Sequence, residues 1–121
     1  MSLRRGEVVL VAWPLAKPVG GKVSKVRPAL VIQNDRDNQR LTNTILAMIT
    51  GQTRRTLEVT QLFIDISTPD GRQTGLRHDS AVNCINLLTV EQQKIITTIG
   101  TFSQSLIQDV NHCLKEALEL S

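Results

Sequence analysis

Lys25-Val26-Arg27-Pro28-Ala29-Leu30-Val31-Ile32-Gln33-Asn34 places an arginine and a proline directly before an apolar run. A second apolar run, Thr44–Ile49, leads into Thr50 and Gly51. The polar residues 35–40 lie between the two runs. Two β-type runs joined by a polar loop predict an antiparallel hairpin.

The register of this hairpin decides which side chains meet. We predict that Leu30 faces Ala47, so that Arg27 lies opposite Thr50. Directly opposed residues point to one face with Cβ atoms roughly 5 Å apart, whereas a slip of one residue sends them to opposite faces. The hairpin then brings a guanidinium and a hydroxyl together at its open end. The alternative is an ordinary core hairpin with a polar rim.

The composition predicts one domain, residues 1–121, because domains typically span roughly 100–200 residues. Apolar residues make up 40% of the chain, but Trp13, Phe63 and Phe102 are its only aromatic residues. The core is therefore aliphatic. Few aromatic side chains are therefore available to stack on bases, which is the usual way that proteins bind single-stranded nucleic acid.

The charge is unevenly distributed along the chain. Residues 1–77 carry 12 Lys and Arg against 6 Asp and Glu, whereas residues 78–121 carry 2 against 5. A basic first part suits a polyanionic partner such as nucleic acid. A merely solvated, soluble surface is the alternative.

Cys84 and Cys113 are the two cysteines, and their spacing matches neither a metal site nor a disulfide framework. We expect two free, buried thiols. The sequence has neither a signal peptide nor an apolar run near the ~20 residues that a membrane span needs. We therefore expect a cytoplasmic protein that does not contact a membrane.

The remaining segments read mainly as short strands, with a helix at the end. Thr97 and Thr98 favour a strand through β-branching, although a helix across Val90–Ile99 is an alternative. Ser103 is an N-cap candidate for the C-terminal helix. Its apolar stripe comprises Leu106, Ile107, Val110, Cys113, Leu114, Ala117 and Leu118. The other predicted segments are strands at Val8–Trp13, Leu62–Ile66, Ala81–Val90 and Ile95–Gly100, a mobile glycine-containing loop at Leu15–Ser24, and a turn at Ser67–Gly71.

Five or six short strands followed by one helix predict a mainly β fold with a C-terminal helix, a small and partly open barrel. Both faces of the Lys25–Thr50 hairpin are apolar. One face can meet the barrel core. The second needs the C-terminal helix or another subunit, which is a hint of dimerisation.

Few side chains of the sequence are candidates for a catalytic role. Arg27 can reach a phosphate bidentately, and Thr50 supplies a hydroxyl beside it. Arg77 and Asp79 are two residues apart, so in an extended segment they share a face and His78 points away. The ordinary alternative is a solvated ion pair or a turn cap.

No catalytic triad order, no HExxH motif and no Cys/His cluster is present in the sequence, so we expect neither a metal nor a cofactor. Fixed positive charge with one or two proton carriers remains. Such a set can cleave RNA, whose own 2′-hydroxyl is the nucleophile, by stabilising a pentavalent phosphate and moving two protons.

The chain resembles the MazF/PemK family of toxin endoribonucleases. The arginine-proline-apolar segment is the most specific part of the resemblance, and the matching pieces lie in the family's order. They are Arg5–Val11, Val26–Ile32, Thr50, Gly75–Val82, and Leu88–Val90 leading on to Ile99–Ser103.

The resemblance implies an SH3-like barrel of the CcdB/PemK/MazF type, working as a homodimer. It implies metal-independent cleavage of single-stranded RNA at short sequences, and neutralisation by a cognate antitoxin protein. Arg27 and Thr50 then match catalytic positions, while Asp79 and Arg77 match an acid and base pair. The predicted substrate contacts are Lys25, Gln52, Arg54, Arg55 and Ser80.

Two other functions are compatible with this barrel. One is a non-enzymatic toxin that poisons DNA gyrase by protein contact, as CcdB does, and that would not need an arginine before the proline. The other is a barrel used only as a binding or assembly module.

Overall fold

The structure is a computed structural model that describes residues 3–13, 25–54 and 56–120. The predicted loop at Leu15–Ser24 lies outside these residues. The strands are β1 (Glu7–Trp13), β2 (Lys25–Val31), β3 (Asn43–Thr50), β4 (Gln61–Ile64), β5 (Ser80–Glu91) and β6 (Ile95–Thr101). The α-helices are α1 (Asp35–Arg40), α2 (Pro69–Gln73) and α3 (Gln104–Leu118), and a 3-10 turn spans Gln92–Lys94.

The six strands of the described residues form one antiparallel sheet in the order β4-β5-β3-β2-β1-β6. The prediction of a mainly β fold with a C-terminal helix is confirmed. The segment Val90–Ile99 passes from β5 into β6, so the helix alternative for it is wrong.

The hairpin has the predicted register. Leu30 pairs with Ala47, and the Ile32 amide donates a hydrogen bond of 2.9 Å to the Ile45 carbonyl. The segment between the two strands differs from the prediction, because it is the helix α1 and not an open loop.

Polar side chains explain why this segment closes into a helix. The Asn34 side chain accepts a hydrogen bond of 2.8 Å from the Asp37 amide, which is an N-cap interaction. Asn38 is buried, and its side chain donates to the Gln33 carbonyl at 2.9 Å. The Thr44 hydroxyl donates to Asn38 Oδ1 at 2.7 Å. These buried hydrogen bonds tie α1 to the start of β3.

The predicted turn at Ser67–Gly71 leads into α2, which begins at Pro69. The Thr68 hydroxyl caps this helix by accepting a hydrogen bond of 2.9 Å from the Gly71 amide. Pro69 occupies the first helical position, where its missing N–H has no partner to lose.

The chain after α2 crosses the edge strand β6 at very close range. Gly75 has φ of 75°, and a Cβ added there would lie 2.1 Å from the Ile99 carbonyl oxygen. A Cβ on Gly100 would lie 2.4 Å from the Thr74 carbonyl group. Only glycines allow this approach, which links the segment between the β4 and β5 strands to the opposite edge of the sheet.

Both faces of the hairpin are buried within one chain. Leu30, Ala47 and Ile49 belong to a cluster that includes Val110 and Cys113 of α3. The opposite face contributes to a second cluster, formed by Val9, Val11, Ala29, Val31, Leu46, Met48 and Val90. The C-terminal helix therefore covers the face of Leu30, Ala47 and Ile49, and it is one of the two covers that the sequence allowed.

Most of the features predicted for helix α3 and the cysteines are confirmed. The Ser103 hydroxyl accepts a hydrogen bond of 3.2 Å from the Leu106 amide, and the two cysteines are free and buried. Leu118 is 53% exposed, so its place in the apolar stripe was wrong. Neither this helix nor any other in the described part of the chain is long and apolar enough to cross a membrane.

Candidate functional site: hollows around Arg27 and Arg77

Arg27 is exposed on β2, where it borders two surface hollows. The smaller one, which we call the Thr50 hollow, has a volume of about 320 Å³ and is lined by Arg27, Thr50, Gln52 and Asn86 among others. The larger one, which we call the Arg77 cleft, has a volume of about 560 Å³. Arg27 and Gly51 line both, so the hollows are adjacent.

The open end of the hairpin brings Arg27 and Thr50 together. The described pairing of β2 with β3 ends at Ala29 and Met48, and the two site residues lie just beyond it on the same register. The Thr50 hydroxyl oxygen accepts a hydrogen bond of 3.1 Å from the Gln52 amide. Its own proton can therefore be donated to a ligand in the Thr50 hollow.

Asn86 enters the Thr50 hollow through an irregularity of β5. Ala47 pairs with Leu87, but the next residue, Met48, pairs with Asn83. The β5 residues between these two partners form a bulge, which re-aims side chains.

The Arg77 cleft joins parts of the chain that are distant in sequence. Its polar lining includes Arg27 from β2 and Arg77 and His78 from the segment before β5. Gly75 and Ile99 line the same cleft, at the point where the chain crosses β6. The crossing therefore delivers Arg77 to the hairpin's open end.

The described lining of this cleft carries two guanidinium groups and no carboxylate. Apolar residues, including Leu10, Pro28 and Ile99, make up much of the remainder. Two fixed positive charges on partly apolar walls suit a phosphate-bearing ligand, because arginine binds phosphate bidentately and stays charged at all relevant pH values.

Asp79 faces a third hollow, which we call the Asp79 hollow. It is lined by Asp65, Ile66, Ser67, Arg77, His78 and Asp79. Asp79 Oδ1 accepts a hydrogen bond of 3.0 Å from the Ile66 amide. Arg77 and His78 line this hollow as well as the Arg77 cleft, but Asp79 is not among the residues lining the cleft.

Asp65 shares the Asp79 hollow and is engaged by Ser67. Hydrogen bonds from the Ser67 hydroxyl at 2.7 Å and the Ser67 amide at 2.9 Å hold the pKa of the Asp65 carboxyl below its ordinary value. This half-buried residue lies beside the segment that carries His78.

The expectation that His78 points away from Arg77 is wrong. It assumed an extended segment, whereas residues 77–78 form a bend and β5 begins at Ser80. His78 is exposed and lines both the Arg77 cleft and the Asp79 hollow. Side-chain alternation applies only within a strand.

The predicted substrate contacts are distributed unevenly. Gln52 lines the Thr50 hollow and Ser80 the Arg77 cleft. Ser80 is buried, and its hydroxyl donates to the His78 carbonyl at 2.8 Å. Lys25 and Arg54 are exposed but do not line either hollow. Arg55 lies outside the described residues.

Asn86 is the site residue that sequence reasoning missed altogether. The β5 run contains no proline or glycine that would signal its bulge, so nothing in the pattern distinguishes Asn86 from an ordinary strand residue. His78 was noticed but was assigned no role.

Comparison with known proteins bears on what these hollows do. A sequence model of the PemK-like, MazF-like toxins of type II toxin-antitoxin systems matches residues 4–118. An endoribonuclease named MazF6 from Mycobacterium tuberculosis is 33% identical over 122 residues, covering 99% of this chain and 100% of the relative. The endoribonuclease EndoA of Bacillus subtilis is 29% identical, covering 99% and 97%.

Solved structures share the fold. A mycobacterial endoribonuclease in complex with its cognate antitoxin superimposes with a TM-score of 0.76 at 22% identity, covering 99% of this chain and 98% of the other. A MazE-MazF structure from Deinococcus radiodurans gives a TM-score of 0.76 at 13% identity and covers both chains fully. Because the family model matches residues 4–118 and the MazF6 relative aligns over its full length, this chain belongs to the family of PemK-like, MazF-like toxins of type II toxin-antitoxin systems.

Proposed function

We propose that this protein is a toxin that cleaves single-stranded RNA at selected short sequences without a metal ion, and that a cognate antitoxin neutralises it. The observation that carries the proposal is the meeting of Arg27 with Thr50 in one hollow and with Arg77 in the adjacent cleft. The named activity of the relatives supports it, since they are endoribonucleases. Their names also disfavour the alternative of a gyrase poison.

The chemistry follows from what these side chains can supply. Attack of the 2′-oxygen on the adjacent phosphorus builds negative charge on the non-bridging oxygens. Arg27 stabilises that charge through its N–H donors, and Thr50 donates a further hydrogen bond. Arg77 adds a second fixed positive charge to the lining of the cleft. No step requires a metal ion to bind the phosphate.

The RNA strand is proposed to run along the adjacent hollows on either side of Arg27. Gln52 and Asn86 in the Thr50 hollow carry amide groups that can hydrogen-bond to base edges or to phosphates. Lys25 and Arg54 are exposed and extend the positive charge beyond the two hollows, and Ser80 acts by fixing the backbone of its segment.

Asp79, which the sequence suggested as the proton acceptor, is assigned a positioning part. Its carboxylate accepts the Ile66 amide proton and borders the neighbouring hollow. That contact supports a role in holding the segment that carries Arg77 and His78.

We also propose that the protein acts in the cytoplasm as a homodimer. Val59, Phe63 and Ile85 are exposed apolar residues on and beside the β4–β5 pair, and they can be buried between two copies. Light scattering on the protein as it elutes from a size-exclusion column measures its mass directly. A species with twice the mass of one chain supports the dimer, and a single-chain mass at micromolar concentration contradicts it.

Incubation of the purified protein with single-stranded RNA in excess EDTA tests the nuclease proposal. We expect cleavage into fragments with a 2′,3′-cyclic phosphate and a 5′-hydroxyl, because the 2′-oxygen is the nucleophile. An RNA with 2′-O-methyl groups throughout is the matched control and should remain whole. Intact unmodified RNA, from a protein that still inhibits growth, would contradict cleavage and favour the gyrase poison.

A further inference from the structure

His78 borders both the Arg77 cleft and the Asp79 hollow. It lines the first together with Arg27 and Arg77, and the second together with Asp65 and Asp79. Its side chain is exposed. An RNA strand bound by Arg27 and Arg77 therefore shares the cleft with the His78 imidazole.

Cleavage by 2′-hydroxyl attack requires a group that accepts a proton near neutral pH. The guanidinium groups of Arg27 and Arg77 cannot, because arginine is not deprotonated in proteins. Asp79 Oδ1 already accepts the Ile66 amide proton outside the cleft. Imidazole is the side chain that changes charge between about pH 5 and 8, and its neutral form has a free nitrogen lone pair.

We propose that the His78 imidazole is the general base that removes the 2′-hydroxyl proton, an inference that rests on the proposed RNA cleavage. The 2′-oxygen forms a bond to phosphorus while the bond from phosphorus to the 5′-oxygen breaks. The 2′-proton passes to the imidazole, and the departing 5′-oxygen takes a proton from water. The imidazolium then returns its proton to solvent.

The chain at His78 and directly after it is fixed by hydrogen bonds. The Ser80 hydroxyl donates to the His78 carbonyl at 2.8 Å, and Asp79 accepts from the Ile66 amide at 3.0 Å. Ser80 and Asp79 are therefore positioning residues for the imidazole. A base held in place before the substrate arrives is more effective than a mobile one.

The charged groups that face His78 come from three parts of the chain. They are Arg27 on β2, Asp65 after β4, and Arg77 and Asp79 in the segment of His78 itself. The test must leave all four in place, so that only the imidazole differs. His78→Gln meets this condition because glutamine is polar, uncharged and of similar length.

Single-turnover cleavage of RNA in EDTA, measured from about pH 5 to about pH 8, is the experiment. The wild-type rate should rise about tenfold per pH unit on the acidic side and then level off. His78→Gln should be slower by about 10² at neutral pH and should lack that rise. His112→Gln is the matched control, because His112 is the chain's other histidine and is exposed on α3.

Three outcomes overturn the inference. One is a His78→Gln variant with wild-type rate and pH profile. Another is His78→Ala with an intact circular dichroism spectrum whose activity added imidazole does not restore. The third is wild-type protein that leaves RNA whole at every pH, which also removes the proposed function. If the wild-type protein cleaves RNA and His78→Gln cleaves it with the same pH profile, the role of His78 is wrong but the proposed function stands.

Discussion

Arg27 of β2 and Arg77 of the segment before β5 line the same cleft. The glycines where the chain after α2 crosses β6 make this possible, since Gly75 itself lines the cleft and lies directly against the Ile99 backbone. Two positive charges from separate parts of the chain thus face one volume of about 560 Å³.

Arg77→Gln should weaken RNA binding and reduce its salt dependence. A phosphate contact to a single strand contributes about 0.7 to the slope of log affinity against log salt concentration, because a condensed counterion is released. Fluorescence anisotropy with a 2′-O-methyl RNA, which cannot be cleaved, measures that slope. Arg36→Gln removes an exposed charge on α1 and should leave it unchanged. Equal slopes for wild type and Arg77→Gln would show that Arg77 does not touch a phosphate.

Asp79→Asn and Asp79→Ala should separate positioning from proton transfer. Asparagine keeps an oxygen that can accept the Ile66 amide proton, whereas alanine leaves that amide without its partner. Urea unfolding should show a loss of about 1 kcal/mol for the alanine variant and a smaller loss for asparagine. The asparagine variant should retain most of its cleavage rate. A loss of about 10² in the asparagine variant, at wild-type stability, would make Asp79 the proton acceptor instead.

Gly75→Ala should destabilise the protein by more than an ordinary surface substitution. Its φ of 75° disfavours any side chain, and the new Cβ would lie 2.1 Å from the Ile99 oxygen. We expect a decrease of about 1–3 kcal/mol in the free energy of unfolding. Gly51→Ala is the stability control, because a Cβ there meets no atom within 4 Å. Equal unfolding curves for the two variants would mean that the crossing over β6 is not tightly packed.

The Cys84 thiol should make stability depend on pH in the alkaline range. Burial, reinforced by the neighbouring Cys113, raises its pKa from 9.0 to about 12. Below pH 9 both the folded and unfolded states hold the proton, so the contribution to stability is fully present. Between these values the unfolded state loses the proton first, and stability falls by up to about 1.4 kcal/mol per pH unit.

Urea unfolding at pH values on both sides of this window checks the prediction. Cys84→Ala should show a shallower decline than wild type above about pH 9. Its lower stability at neutral pH, from the cavity it creates, does not affect the comparison of slopes. Parallel curves for the two proteins would contradict a titrating thiol in the core.

The hairpin shows how far the sequence reaches. Two adjoining apolar runs predicted the hairpin, and its observed register pairs Leu30 with Ala47 as expected; a slip of one residue would have sent Arg27 and Thr50 to opposite faces. The meeting of Arg27 and Thr50 followed from that register. Local patterns were equally sufficient for Ser103 and the helix it caps.

Features that depend on contacts between distant segments were not predictable. The helix α1 depends on the burial of Asn38 against β3, and a window of polar residues does not reveal that burial. His78 enters the cleft because the chain bends before β5, whereas its sequence context suggested extended alternation. The bulge that carries Asn86 arises from the pairing of β5 with β3, and no residue type near it signals that the register shifts by three residues.

The single-turnover rate of RNA cleavage in EDTA by Arg27→Ala and Thr50→Ala shows whether the active site lies at the open end of the hairpin. Each variant should lose about 10² or more in rate, the scale seen when one electrostatic donor to a transition state is removed. Arg36→Ala, which removes a charge outside the hollows, should cleave like wild type. Near wild-type cleavage by folded Arg27→Ala and Thr50→Ala would contradict the assignment of the active site to the open end of this hairpin.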